Sequence, residues 1–328
     1  MYEEIYNLKG NPFKLTPNPE FYYPSRIHKK VMAYLQYGVE QGDGFIVVTG
    51  NVGTGKTTII QTLTNELKNN NDIILAQITS TQLDEGELIR MVAASFGLSI
   101  NNKSSKAALL NNLEKFLRKK SKEGKRVLLI VDEVQNMPLK SLEELRMLSN
   151  YQEQGKPLFQ SFLVGQQQFK KIINRADMEQ LKQRVIGSYH LEALDNEDTR
   201  KYINYRLDCV GWSNDPKIES AAYEKIYLFT EGVPRRINIL CGRLMLHAAI
   251  EELHVITSKT INEVLAEFSE ENNGPQRKSG VLRKTAMAAN PADNEKLTIL
   301  EKRMRQFERK LKRIEDTIDT LIDDYELE

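Results

Sequence analysis

The stretch Gly50-Asn51-Val52-Gly53-Thr54-Gly55-Lys56-Thr57-Thr58 has the spacing of Gly, four residues, Gly-Lys-Ser/Thr. An apolar run, Phe45-Ile46-Val47-Val48-Thr49, precedes it, and Ile59, Ile60, Leu63 and Leu67 follow at helical spacing. Strand, glycine loop and helix in that order predict a phosphate cradle. Glycines let successive backbone N–H groups turn inward toward phosphate oxygens. The helix start adds its positive dipole end to the same anion. Lys56 supplies a charge for the outer phosphates, and the Thr57 hydroxyl is a ligand for Mg²⁺.

Hydrolysis needs a second set of groups. Val127-Leu128-Leu129-Ile130-Val131-Asp132-Glu133 reads as a buried strand that delivers two acids at its carboxyl end. Asp132 is expected on the Mg²⁺ side and Glu133 as the base that polarises water. Gln166 follows the run Phe159–Val164 and is expected at the γ-phosphate or the water; the competing reading is a turn residue. Thr79 or Ser80, at the end of another strand, is a candidate to hydrogen-bond Glu133. Arg184 precedes the last short strand, and Arg235 and Arg236 open a helix in Gly232-Val233-Pro234-Arg235-Arg236. An arginine in the first position can reach a neighbouring subunit's γ-phosphate, and one in the second can couple a lid to hydrolysis. Each can equally be a solvated charge or an ordinary ion pair.

The elements that must hold these residues fall into five stretches. Residues 1–43 form an arm with Pro12, Phe13, Pro17, Pro19, Phe21, Tyr22, Tyr23 and Pro24, then a helix capped by Ser25 and ending near Gly42. The arm either packs on the core or lies beside the phosphate loop to hold a base, with Arg26 and His28 in the same neighbourhood. Residues 44–192 alternate apolar strands (Phe45–Thr49, Ile73–Ile78, Val127–Val131, Phe159–Val164, Tyr189–Leu191) with helices. That pattern predicts an α/β fold with a doubly wound parallel sheet and the ligand at its carboxyl edge. Residues 193–270 read as an all-helical lid, and residues 271–292 as a flexible linker. Over 293–328, Leu297, Leu300, Met304, Phe307, Leu311, Ile314, Ile318, Leu321 and Tyr325 alternate spacings of three and four, the seam of a coiled coil. Self-association through it is expected; the alternative is a helix folded back on its own domain.

The chain has 328 residues and a net charge of +1, which gives no global argument for nucleic acid or a membrane. The two cysteines, Cys209 and Cys241, are expected reduced. The start, Met1-Tyr2-Glu3-Glu4-Ile5, lacks a basic-then-apolar leader, and no run suits membrane insertion. A cytoplasmic location is expected, with any tie to the inner membrane through a partner.

Taken together, the phosphate loop, the Asp132-Glu133 strand, Gln166, Arg184 and the Gly-x-Pro-Arg helix resemble an AAA+ ATPase with a small helical lid. Asn11-Pro12-Phe13-x-Leu15-Thr16-Pro17, Val131-Asp132-Glu133-x-Gln135-Asn136, Leu142–Asn150 and Gly232–Asn238 resemble the general secretion pathway protein A (ExeA-like) ATPases. Met1-Tyr2-Glu3-Glu4 and Gln160–Gln166 look typical of the secretion ATPases of exosortase/PEP-CTERM loci. The resemblance implies an oligomeric enzyme that uses ATP and Mg²⁺ beside envelope export or polysaccharide-assembly proteins. A second reading, similar to the transposition regulators TnsC and TniB, would bind DNA through the basic run Lys115–Arg126. A third is a nucleotide-switched scaffold.

Overall fold

Five apolar runs become five parallel strands because both faces of each central strand are covered. β1 (Phe45–Gly50), β3 (Arg126–Asp132) and β4 (Gln160–Gly165) are buried along almost their whole length. With β2 (Ile73–Thr79) and β5 (Val185–Leu191) they form one sheet in the order β2-β3-β4-β1-β5. The computed structural model describes residues 2–16, 18–68, 70–79, 84–100 and 104–272. By contact the chain divides into Met1–Ser269 and Glu270–Glu328. The coil expected over 293–328, and the linker beyond Asn272, lie outside the described residues.

Two helices cover one face of the sheet. α1 (Arg26–Gln41) is capped by the Ser25 hydroxyl and ends on Gly42 at φ 68°; α2 (Lys56–Lys68) follows the phosphate loop. Leu35, Val39, Ile59, Ile60 and Leu63 bury there against Ile46, Val48, Ile130 and Phe162. The other face carries α3 (Glu85–Ser95), α4 (Lys106–Lys122) and α5 (Leu139–Leu148) over Val47, Leu129, Val131 and Leu163. α3 has a complete capping box between Asp84 and Glu87.

β5 is longer than its apolar signal, Tyr189–Leu191. As an edge strand it alternates exposed and half-buried residues, with Ile186 pointing outward, so no continuous apolar run marks its start.

The lid is built from α6 (Asn196–Asp208), α7 (Ser220–Thr230), α8 (Pro234–Ile250) and α9 (Ser258–Asn272). It is not wholly helical: Lys217–Ile218 pairs in parallel with Val255–Ile256. The ladder is too short to leave a period-two pattern in sequence. The N-terminal stretch divides between two cores. Tyr2, Tyr6, Leu8 and Phe13 bury in the lid with Ile203, Leu207, Leu240 and Leu244, whereas α1 packs on the sheet.

Three members of the basic run at the end of α4 are engaged within the fold. Arg118 donates to Glu114, Lys120 to Glu123, and Arg126 caps the end of α1 through the carbonyls of Val39 and Glu40.

Candidate nucleotide site

Parallel register brings the carboxyl ends of β1, β4 and β3 side by side. Thr49 pairs with Gly165 and Val131 with Leu163, so the loop after Gly50 and the acids after Val131 flank the tip of β4. A cleft of about 240 Å³ opens at that edge. The loop contributes Val52, Gly53, Gly55, Lys56, Thr57 and Thr58, the strand tips contribute Glu133 and Gln166, and the lid contributes Arg235.

The loop takes its shape from Gly53 (φ 84°) and Gly55 (φ 99°). A Cβ at Gly53 would stand 2.6 Å from the Cβ of Arg235, and one at Gly55 would stand 2.9 Å from His28 Nε2. Both positions therefore need glycine for backbone angle and for space. Lys56 Nζ donates to the carbonyls of Gly50 and Asn51, each at 2.9 Å. The Thr54 hydroxyl donates to Asn51 as well. Burial lowers the Lys56 pKa, opposed by the negative charges of Glu133 and Asp132.

Thr57 Oγ1 lies 3.5 Å from Asp132 Oδ2, and Asp132 Oδ1 accepts the backbone N–H of Glu133 at 2.9 Å. Burial raises the Asp132 pKa, with its own loop amide, Lys56 and Thr57 opposing and Glu133 adding to the rise. A buried carboxylate and a hydroxyl are hard oxygen donors suited to Mg²⁺. Among the described residues no cluster of three or more His, Cys, Asp or Glu could hold a metal. The donor set fits an ion that takes most of its shell from phosphate and water.

His28 packs under the loop. Ser25 Oγ lies 2.7 Å from His28 Nδ1, and the side chain reaches Gly55. Burial pushes its pKa down to about 4, partly offset by a hydrogen bond with the Thr54 backbone and by Asp198. The arm also forms a wall of the cleft with Lys14, Leu15, Thr16 and Asn18. Next to it, Phe21, Tyr22, Tyr23, Leu194 and Pro234 line a smaller hollow of about 50 Å³ with His28.

The two lid arginines separate. Arg235 lines the cleft, and its backbone N–H donates to Gly53. Arg236 does not reach it: its guanidinium donates to Glu231 at 2.6 Å on the exposed side of the helix. Successive helical residues point about 100° apart, so only one of the two can face the loop.

Arg184 is also absent from this cleft. It precedes β5, whose first residue pairs with Phe45 at the amino end of β1, and it donates to the Ser149 carbonyl at 3.0 Å. The phosphate loop starts five residues along β1, roughly 16 Å away at strand rise.

Two contributors, Arg206 and Gln135, carry no sequence signal of the contacts they make. Arg206 is buried on α6 and donates to the carbonyls of Pro12 and Lys14, fixing the arm. Its guanidinium also donates to the Tyr202 hydroxyl, which donates to Asn238. Gln135 holds Glu133, the role considered for Thr79 or Ser80. Ser80 lies outside the described residues, and Thr79 pairs with Asp132 in the ladder. Gln135 stood only inside the Asp-Glu-x-Gln motif, where nothing marks its direction.

Residues 39–173 match the family model described as an AAA domain. The fold is that of an AAA domain. Cdc6p from Pyrobaculum aerophilum superposes with a TM-score of 0.62 at 16% identity, covering 78% of this chain and 70% of that one. The ORC2 protein of Aeropyrum pernix, in ADPNP and ADP complexes, gives 0.57 at 15% identity over 78% and 71%. Among curated proteins, general secretion pathway protein A of Aeromonas hydrophila is 32% identical over 269 residues, 82% of this chain. The chain spans about half the length of that relative, 49%. No helix among the described residues is long and apolar enough to cross a membrane.

Proposed function

We propose that this chain is an ATPase of the general secretion pathway protein A type, binding ATP with Mg²⁺ and hydrolysing it. The observation that carries the reading is the convergence of Lys56, Thr57 and Glu133 on one cleft, with Asp132 buried behind Thr57 at 3.5 Å. Lys56 neutralises the outer phosphates, Thr57 and Asp132 hold the metal side, and Arg235 reaches the phosphates from the lid. Glu133 takes the proton as water attacks the γ-phosphorus, while the bond from that phosphorus to the bridging oxygen breaks and ADP leaves. The hollow lined by Tyr22, Leu194 and Pro234 is the place for the base, with apolar walls on the arm and on the lid.

Arg184, too far along the sheet for its own cleft, acts on the nucleotide of a neighbouring copy in this reading. The enzyme then works as a homo-oligomer, with the segment over 293–328 as a further means of self-association. The 32% identity to general secretion pathway protein A supports a role in bacterial envelope export or assembly. Exopolysaccharide and exosortase-linked export are the finer form of that proposal. DNA binding is not favoured: the net charge of +1 supplies no global attraction, and three members of the basic run, Arg118, Lys120 and Arg126, already pair within the fold.

The deciding experiment is Glu133→Gln. The variant is expected to bind ATP as the parent does and to turn it over about a hundredfold more slowly or worse, the scale of a lost general base. Turnover at the parent rate would remove Glu133 from the reaction.

A further inference from the structure

The side-chain amide of Gln135 bridges two parts of the cleft. Its Oε1 accepts the backbone N–H of Gln166 at 2.9 Å, and its Nε2 donates to Glu133 Oε2 at 2.5 Å. The orientation is chemically forced. A backbone N–H can only donate, so the amide oxygen must face Gln166, and the amide nitrogen is left for the carboxylate.

Two backbone features make room for the bridge. Glu133 is left-handed, φ 54° and ψ 37°, which opens the turn Val134–Asn136. Gly165 at the tip of β4 has no side chain, and a Cβ there would stand 2.7 Å from Gln135 Oε1 and 2.8 Å from Val134 Cγ1. Any larger residue at that tip would push the amide out of place.

We propose that Gln135 is the positioning residue for Glu133: it holds one carboxylate oxygen, leaves the other to accept a proton, and ties that orientation to the β4 tip at Gln166. This rests on reading Glu133 as the base. A phosphate contact at Gln166 is then transmitted to the base through one amide.

Gln135→Glu isolates the contact, because it keeps the acceptor for Gln166 and replaces only the donor to Glu133. Without the donated hydrogen bond the Glu133 carboxylate is free to rotate, so the defect should fall on kcat and leave KM for ATP within about twofold of the parent. Turnover at neutral pH should fall about tenfold or more, with affinity for a fluorescent ATP analogue unchanged within about twofold. Gln135→Met, similar in shape, lacks both the donor and the acceptor and should lower kcat at least as far. Analogue binding reports that each variant holds a folded site. Parent kcat in both variants, with Glu133→Gln inactive, would overturn the role of Gln135 alone. An active Glu133→Gln would remove the base itself, and the positioning role with it.

Discussion

The backbone N–H of Arg235 donates to the carbonyl of Gly53 at 3.2 Å, so the first turn of the lid helix rests directly on the phosphate loop. Pro234 sets the helix entry, and the glycine brings the two backbones within contact. Loop and lid therefore touch through this hydrogen bond and through the side chains of Val233 and Arg235 packed against Gly53. Arg235→Ala is expected to lower turnover about tenfold or more, as loss of a cation aimed at developing phosphate charge does. Arg236→Ala should stay within about twofold, since its partner Glu231 is solvent-exposed and such pairs contribute little. Steady-state ATPase assays on both variants test the asymmetry, and equal losses would contradict it.

Lys56→Ala removes the charge nearest the outer phosphates. ATP affinity should weaken by about a hundredfold, close to 3 kcal/mol, measured by calorimetry or analogue fluorescence. The variant should remain folded, because Lys56 spends its hydrogen bonds on loop carbonyls rather than on the core. Unaltered affinity would deny that this loop is the phosphate site.

Arg206→Ala tests how the arm is held. Two carbonyls, Pro12 and Lys14, lose a charged donor, and the Phe21 ring loses a guanidinium 5.0 Å from its centroid. Leaving buried polar groups without partners costs about 2–4 kcal/mol. Denaturant unfolding should register that loss, with faster proteolysis of the arm. A change below about 0.5 kcal/mol would mean that the arm is held by its apolar residues alone.

His28 makes stability depend on pH. Its folded pKa of about 4 lies below the ordinary value of 6.5, so the unfolded chain binds the extra proton first. Stability is then greatest above pH 6.5 and declines as pH falls from 6.5 toward 4, by up to about 3 kcal/mol from this group. Melting temperatures measured across that window should fall for the parent and fall less for His28→Gln. Parallel curves would show that another group dominates the acid response.

Arg184→Ala should bind ATP normally and turn it over slowly. Mixed with Lys56→Ala, which has the complementary defect, it should recover part of the activity if one copy's arginine serves its neighbour's nucleotide. Absence of recovery at any mixing ratio would confine Arg184 to its contact with Ser149.

Local signals were legible wherever the chain's own neighbours decide the conformation. The phosphate loop depends on consecutive residues, and the Asp132-Glu133 strand on an unbroken apolar run. Ser25 and Pro234 stand at the helix starts expected of them because caps and proline act within one turn. The parallel sheet followed from alternating apolar strands and helices. The roles of single polar side chains depend instead on residues far away in sequence. Arg206 meets Pro12, and Arg235 meets Gly53, across distances that no periodicity records. Strand order placed β4 between β1 and β3, and so set Gln166 beside Gln135 and Glu133. The amino-acid sequence alone determined that a phosphate loop and a pair of acids would sit at strand ends, because hydrophobic runs and glycine angles act locally. Only the tertiary structure decided which arginine faces the cleft, which side chain holds Glu133 and where the arm ends up, because a side chain's partner is chosen by packing between distant elements.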